Sequence, residues 1–175
     1  MRGLRRTVVV ALALATSATA GAQSASTGAR PAALRMSRIF NHGMVLQRDE
    51  PIRIWGWAVP GSAVLARLGD GSPVTTAATA SGTWTLRLPR HRAGGPFSLL
   101  VRSRADSLLF TDVLVGDVWV ASGQSNMEFR VEQAANGPTA AASADDSTIR
   151  EFKIPNSWSD SLESDLAGGS WSPAD

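Results

Sequence analysis

The sequence predicts a β-sandwich followed by the first β-α-β portion of an α/β domain, and three observations predict it. Between residues 34 and 112, short runs of alternating apolar and polar residues are separated by turn signals. From Val113 to Ala121 the chain is almost continuously apolar, broken by Gly116 and Asp117, as in a strand buried on both faces of a parallel sheet. Beyond it, an Ala-rich polar stretch from Met127 to Asp146, interrupted near Gly137-Pro138, leads into a second strand-like run, IREFKIP.

Residues 1–22 read as a secretory signal peptide. Arg2, Arg5 and Arg6 form a basic start, TVVVALALATSATA is a short apolar core, and Ala18-x-Ala20 or Ala20-x-Ala22 offers a cleavage site. Export to the periplasm or cell exterior follows, and the Arg5-Arg6 pair leaves both Sec and Tat routes open. Residues 23–33 are Ala, Ser, Gly, Thr and Gln in the main and read as a flexible linker. Taking the leader's three arginines from the 17 basic residues leaves 14 against 15 acidic ones, so the mature chain is nearly neutral. A basic surface for nucleic acid or anionic lipid is not indicated, and no segment is long enough to span a bilayer. With no Cys there is neither a disulfide nor a thiolate metal site.

The sandwich strands follow in order as MVLQ, IRIWGWA, SAVLARL, VTTAATA, TWTLRLP, FSLLVRS and SLLFTDVLV, with turns such as Gly69-Asp70-Gly71 and Ser81-Gly82 between them. Trp84, Leu86 and Leu88 share one face and Thr85 and Arg87 the other, while Val64, Ala66 and Leu68 oppose Leu65 and Arg67. After Ala121 comes a Gly-Gln-Ser-Asn turn and, much later, a loop-like final segment, NSWSDSLESDLAGGSWSPAD. A right-handed β-α-β crossover would place function at the carboxyl end of the strands, where Ser125 falls.

A serine hydroxyl becomes a nucleophile when a base takes its proton, and the resulting oxyanion needs preorganised N–H donors. A sharp turn at a strand end supplies exposure of Oγ and aims the Ser125 backbone N–H at the developing charge. Gly123 permits the tight backbone, and Gln124 and Asn126 support the turn through side-chain hydrogen bonds. The G-x-S-x-G elbow is not met, because Met127 stands where the second Gly would be. On the turn alone, Ser125 is either a nucleophile or a residue that merely turns the chain.

The longer string GDVWVASGQSNMEF closely resembles the nucleophile segment of the sialate O-acetylesterase family, a branch of the SGNH (GDSL-like) serine esterases. MVLQRDEPIRIWGWAVPGSAV resembles the β-domain that precedes the hydrolase domain in that family, and IREFKIPNSWSDSLESDLAGGSWSPAD the stretch that follows the nucleophile. The resemblance covers nearly all of Leu34 to Asp175. It implies a flavodoxin-like three-layer SGNH domain of which residues 113–175 are the first, incomplete part. It implies Ser125 as the acyl-accepting nucleophile with its own amide as one oxyanion donor, an O-acetylated sugar as substrate (sialic acid or a plant or bacterial polysaccharide ester), and no metal or cofactor. The remaining oxyanion groups and the catalytic His and Asp come from later segments in the family, so none is assigned here. The chain is expected to be an N-terminal portion with little or no activity of its own.

Local substitutes are poor bases. His42 in FNHGMVLQ and His91 in PRHRAGG read as surface or turn residues, Asp117 and Glu128 as carboxylates that cap or solvate the turn, and Asp145-Asp146, Asp160, Glu163 and Asp165 as loop charges without metal-loop spacing. Trp55, Trp57, Trp84 and Trp119 are expected in the core, and Trp158 and Trp171 at the rim of a cleft. A second reading stays open, in which the β-sandwich is a carbohydrate-binding or interaction module and the GQSN segment is vestigial.

Overall fold

The computed structural model describes residues 34–144 and 146–174. The expected leader (1–22) and linker (23–33), Asp145 and Asp175 lie outside the described residues. Strands dominate: β1 Arg35–Met36, β2 Val45–Gln47, β3 Ile52–Trp57, β4 Ala63–Leu68, β5 Val74–Ala77, β6 Thr83–Leu88, β7 Gly94–Ser103, β8 Asp106–Gly116, β9 Asp146–Phe152 and β10 Trp171–Ala174. The single α-helix among the described residues, α1, is Gly137–Ala142.

Alternation decides which side chains are buried. Ile52 and Ile54 on β3, Val64, Ala66 and Leu68 on β4, Trp84, Leu86 and Leu88 on β6, Leu99 and Val101 on β7, and Val113 and Val115 on β8 form one core, while Arg53, Arg67, Thr85 and Arg87 face solvent. Burying each large aliphatic side chain contributes about 1.5–3 kcal/mol. The strands form a sheet in the order β1-β3-β6 and a sheet in the order β2-β8-β7-β4-β5, and β5 lies against β6, so the sheet structure curls around the shared core. Gly56 lets β1 cross close to β3: a Cβ there would lie 2.1 Å from the Arg35 carbonyl oxygen.

Several expectations are corrected. The apolar run from Val113 to Ala121 is not one strand buried on both faces in a parallel sheet. It supplies the end of β8, which pairs antiparallel with β7 and stops at Gly116. Alternation persists in it, with Val113 and Val115 buried between half-buried Leu114 and Gly116, and Val118, Trp119 and Val120 beyond it are 41%, 89% and 92% exposed. Trp119 is therefore not a core residue, and Trp57, half-buried under Arg35, also lies outside the core. One pairing in the five-stranded sheet is parallel, that of β2 with β8. The IREFKIP strand pairs antiparallel with β10, inside the segment expected to be a loop. Finally, Gly137-Pro138 begins the helix instead of interrupting it, since proline's missing N–H and fixed φ suit a helix's first turn.

The end of the chain folds back onto the β-domain. Trp171 donates its indole N–H to the Ile39 carbonyl at 2.8 Å and packs against the core, so it rims no cleft. The Asp165 carboxylate accepts from the Ser37 hydroxyl at 2.7 Å and the Arg38 N–H at 3.1 Å. Arg150 grips Asp112 at 2.7 and 3.2 Å and donates to the Gly43 carbonyl at 3.3 Å.

Candidate active site

Ser125 opens a short 3-10 turn, Ser125–Glu128, and residues 117–124 separate it from the end of β8. Extended backbone at Gln124 (φ −97°, ψ −156°) brings the chain in, and the Met127 N–H closes the turn on the Gln124 carbonyl at 2.8 Å. Main-chain bonds do the closing, and neither the Gln124 nor the Asn126 side chain makes a hydrogen bond among the described residues. Gly123 leaves room for the Met127 side chain, since a Cβ there would meet Met127 Cγ at 2.8 Å and the exposed methionine would have to turn aside. Ser125 and its neighbours are exposed.

The segment entering this turn is fixed by β2. The Arg48 N–H donates to the Gly116 carbonyl at 2.9 Å, the Val118 N–H to Gln47 Oε1 at 3.0 Å, and Arg48 Nε to Asp117 Oδ1 at 2.9 Å. The Asp117 hydrogen bond and charge, with Asp49 adding to them, raise the already high pKa of the Arg48 guanidinium. On the far side of the turn, Asn156 Nδ2 donates to Glu128 Oε1 at 2.8 Å. Sequence reasoning missed Gln47, Arg48 and Asn156 as positioning residues. No local pattern marks them, since their partners lie some 70 positions away for the first two and 28 for the third.

Neither histidine approaches Ser125 by hydrogen bond. The His42 Nδ1 accepts the Thr111 N–H at 3.1 Å and pairs with its hydroxyl at 3.0 Å, which places any ring proton of the neutral form on Nε2. His91 donates Nδ1–H to the Arg92 carbonyl at 2.7 Å and meets Phe97 edge-on. Both are occupied with holding the β-domain.

Asp112, Asp146 and Asp165 are engaged in structural hydrogen bonds. At Asp165, burial pushes the carboxyl up, but the Ser37 hydroxyl, the Arg38 and Leu166 N–H groups and Arg35 together hold it below the usual carboxylate range. The Arg150 hydrogen bond outweighs burial to hold Asp112 low as well, and Thr148 does the same for Asp146 through its hydroxyl and N–H. Asp160 has no partner among the hydrogen bonds of the described residues, and Glu163 accepts from the Ser159 hydroxyl at 2.8 Å. No helix of the described residues is long and apolar enough to cross a membrane.

No family model matches the chain. It is 39% identical over 112 residues to sialate O-acetylesterase from Homo sapiens, covering 58% of this chain and 21% of that protein. It is 32% identical over 151 residues to the Rattus norvegicus sialate O-acetylesterase, covering 79% of this chain and 28% of the relative. The chain thus spans about a fifth to a quarter of the length of these curated relatives. The crystal structure of a carbohydrate acetylesterase from Xanthomonas citri superposes with a TM-score of 0.75 at 46% identity, over 80% of this chain and 32% of the other. On these matches the chain belongs to a sialate O-acetylesterase-like family.

Proposed function

We propose that the chain is part of an exported serine esterase that removes acetyl groups from sugar hydroxyls through an acyl-enzyme on Ser125. In this reading residues 34–112 form a sandwich-type β-domain, β8 carries the chain onward, and residues from 113 begin an SGNH-type domain. The observation that carries the proposal is the Ser125 turn: an exposed hydroxyl on a short 3-10 turn within GQSNMEF, in a chain related to carbohydrate acetylesterases. Chemically, Ser125 Oγ attacks the acetyl carbonyl and releases the sugar alcohol, and water then attacks the acetyl-serine to regenerate the hydroxyl and release acetate. The Ser125 N–H makes no hydrogen bond among the described residues, which leaves it able to donate to the oxyanion in both steps.

A base worth about 10²–10⁴ in rate must deprotonate Oγ, and among the described residues no imidazole hydrogen-bonds to it. The 175-residue chain by itself is therefore expected to release acetate from O-acetylated sialic acid or acetylated xylan barely above background. A chimera that joins it to the remainder of the Xanthomonas citri acetylesterase is expected to be active, and Ser125→Ala in that chimera to lower turnover by several orders of magnitude, about the loss that follows removal of a triad member. A Ser125→Ala chimera with near-normal turnover would remove Ser125 from the mechanism and leave Ser122 as the serine to test.

The second reading, a non-catalytic carbohydrate-binding module, draws on a different observation, the aromatic groove on the three-stranded sheet described next.

A further inference from the structure

The outer face of the three-stranded sheet carries a groove that the esterase chemistry leaves unused. Alternation places Arg53, Trp55 and Trp57 of β3 and Thr83, Thr85 and Arg87 of β6 on the face opposite Ile54 and Trp84, with Trp55 half-buried and also packed against the core through Phe40. The register sets Trp57 opposite Thr83, Trp55 opposite Thr85, and Arg53 opposite Arg87. A groove of about 300 Å³ lies over the first five of these, with Ser164 of the folded-back segment forming a wall. That volume is at the lower end of small-ligand sites, which run about 300–1,000 Å³. No residue of the Ser125 turn lines it.

Its two ends differ in charge. At the Trp57 end, Arg35 lies 3.4 Å over the indole ring and is bridged to Asp165 at 3.4 Å, so that cation is neutralised. At the other end Arg53 and Arg87 face each other across antiparallel strands, both exposed, and among the described residues neither has a carboxylate partner. Like charges directly opposite destabilise a strand pair, and two guanidinium forks side by side match a carboxylate. Trp55 and Trp57 are half-buried, stiffened by Phe40 edge-on to Trp55 at 4.6 Å and by Arg35, and they present apolar ring surface beside the Thr83 and Thr85 hydroxyls. Apolar ring and hydroxyls in the groove, with Arg53 lining its end and Arg87 as the cross-strand neighbour of Arg53 just beyond the lining, are the complement of an acidic sugar.

We propose that this groove binds a carboxylate-bearing sugar residue of a glycan, with the carboxylate between Arg53 and Arg87 and the pyranose ring toward Trp55 and Trp57. The choice of a sugar over another anion rests on the acetylated-carbohydrate reading above.

Isothermal titration of the purified chain with 3′-sialyllactose, trigalacturonate and neutral lactose tests this. At least one acidic probe should bind at least tenfold more tightly than lactose, with affinity falling as salt rises. The probe that binds distinguishes a nonulosonic from a uronic acid. Arg53→Gln and Arg87→Gln should each weaken binding at least tenfold, while Ser125→Ala leaves it unchanged. Both arginines are exposed, so the variants should melt no lower than the parent, and Arg53→Gln somewhat higher because it relieves repulsion. Failure of both acidic probes to bind, equal binding of lactose, or binding that survives the double Arg53→Gln/Arg87→Gln variant would overturn the proposal. Because none of the probes is acetylated, an inactive Ser125 would not disturb these isotherms.

Discussion

Residues 34–116 and residues 117–174 obey different rules within one chain. Every buried hydrophobic residue of the core lies between Leu34 and Val115. Past Gly116 the turns around Ser125 bury nothing, α1 buries Gly137 alone, and Trp119, Val120, Phe129, Val131, Ile149, Trp158 and Leu162 are largely exposed. The first region is held by apolar packing. The second is held at a few polar points: Arg48–Asp117, Arg150–Asp112, Asn156–Glu128, Asp165 with Ser37, and the Trp171 indole N–H. The lesson is that the candidate nucleophile sits on a segment whose position depends on specific hydrogen bonds to the β-domain rather than on a core of its own.

Core truncation should break the contrast most strongly. Trp84→Ala should cost about 3–5 kcal/mol and Ile54→Ala about 2–5 kcal/mol, whereas Trp158→Ala and Leu162→Ala should stay within about 0.5 kcal/mol. Trp84→Phe should cost much less than Trp84→Ala, because the buried Trp84 Nε1 has no hydrogen-bond partner to lose. Urea unfolding of the six proteins, parent included, checks this. A Trp158→Ala penalty as large as that of Ile54→Ala would erase the distinction between the regions.

The exposed apolar residues give the next effect. Exposed large apolar residues in this number favour association, so the chain should form concentration-dependent oligomers in sedimentation velocity. Trp119→Ser with Val120→Ser should shift it toward monomer without moving the unfolding midpoint. Unchanged association in that double variant would place the sticky surface elsewhere.

The smallest effect concerns the polar clamps. Asp112 and Asp165 are held below their ordinary range when folded, so each contributes stability that is complete above the unfolded carboxylate pKa near 4 and fades as pH falls through the lower folded value. Thermal midpoints of the parent should therefore drop more steeply than those of Asp112→Asn/Asp165→Asn as pH is lowered below about 4. At neutral pH the double variant should melt only modestly lower, since each pair keeps one partner about half exposed, Arg35 and Asp112, and half-exposed ion pairs contribute about 1 kcal/mol. Parallel acid slopes would show that these carboxylates do not hold the segment.

The sequence by itself determined the strands of the β-domain, their inward faces and the turn that presents Ser125. These are local properties: period-2 alternation, glycine at a close approach, and a short motif whose meaning is contained in neighbouring residues. Tertiary structure decided that β8 ends at Gly116, because apolar residues resume after Asp117 and only pairing with β7 and β2 distinguishes Val115, inside the core, from Val120, outside it. Partners distant in the chain also decided that His42 serves Thr111, that Gln47 and Arg48 fix the approach to Ser125, and that Arg53 meets Arg87. Periodicity specifies which face of a strand is buried. It carries no information about which strand lies beside it, and that depends on how the whole chain packs.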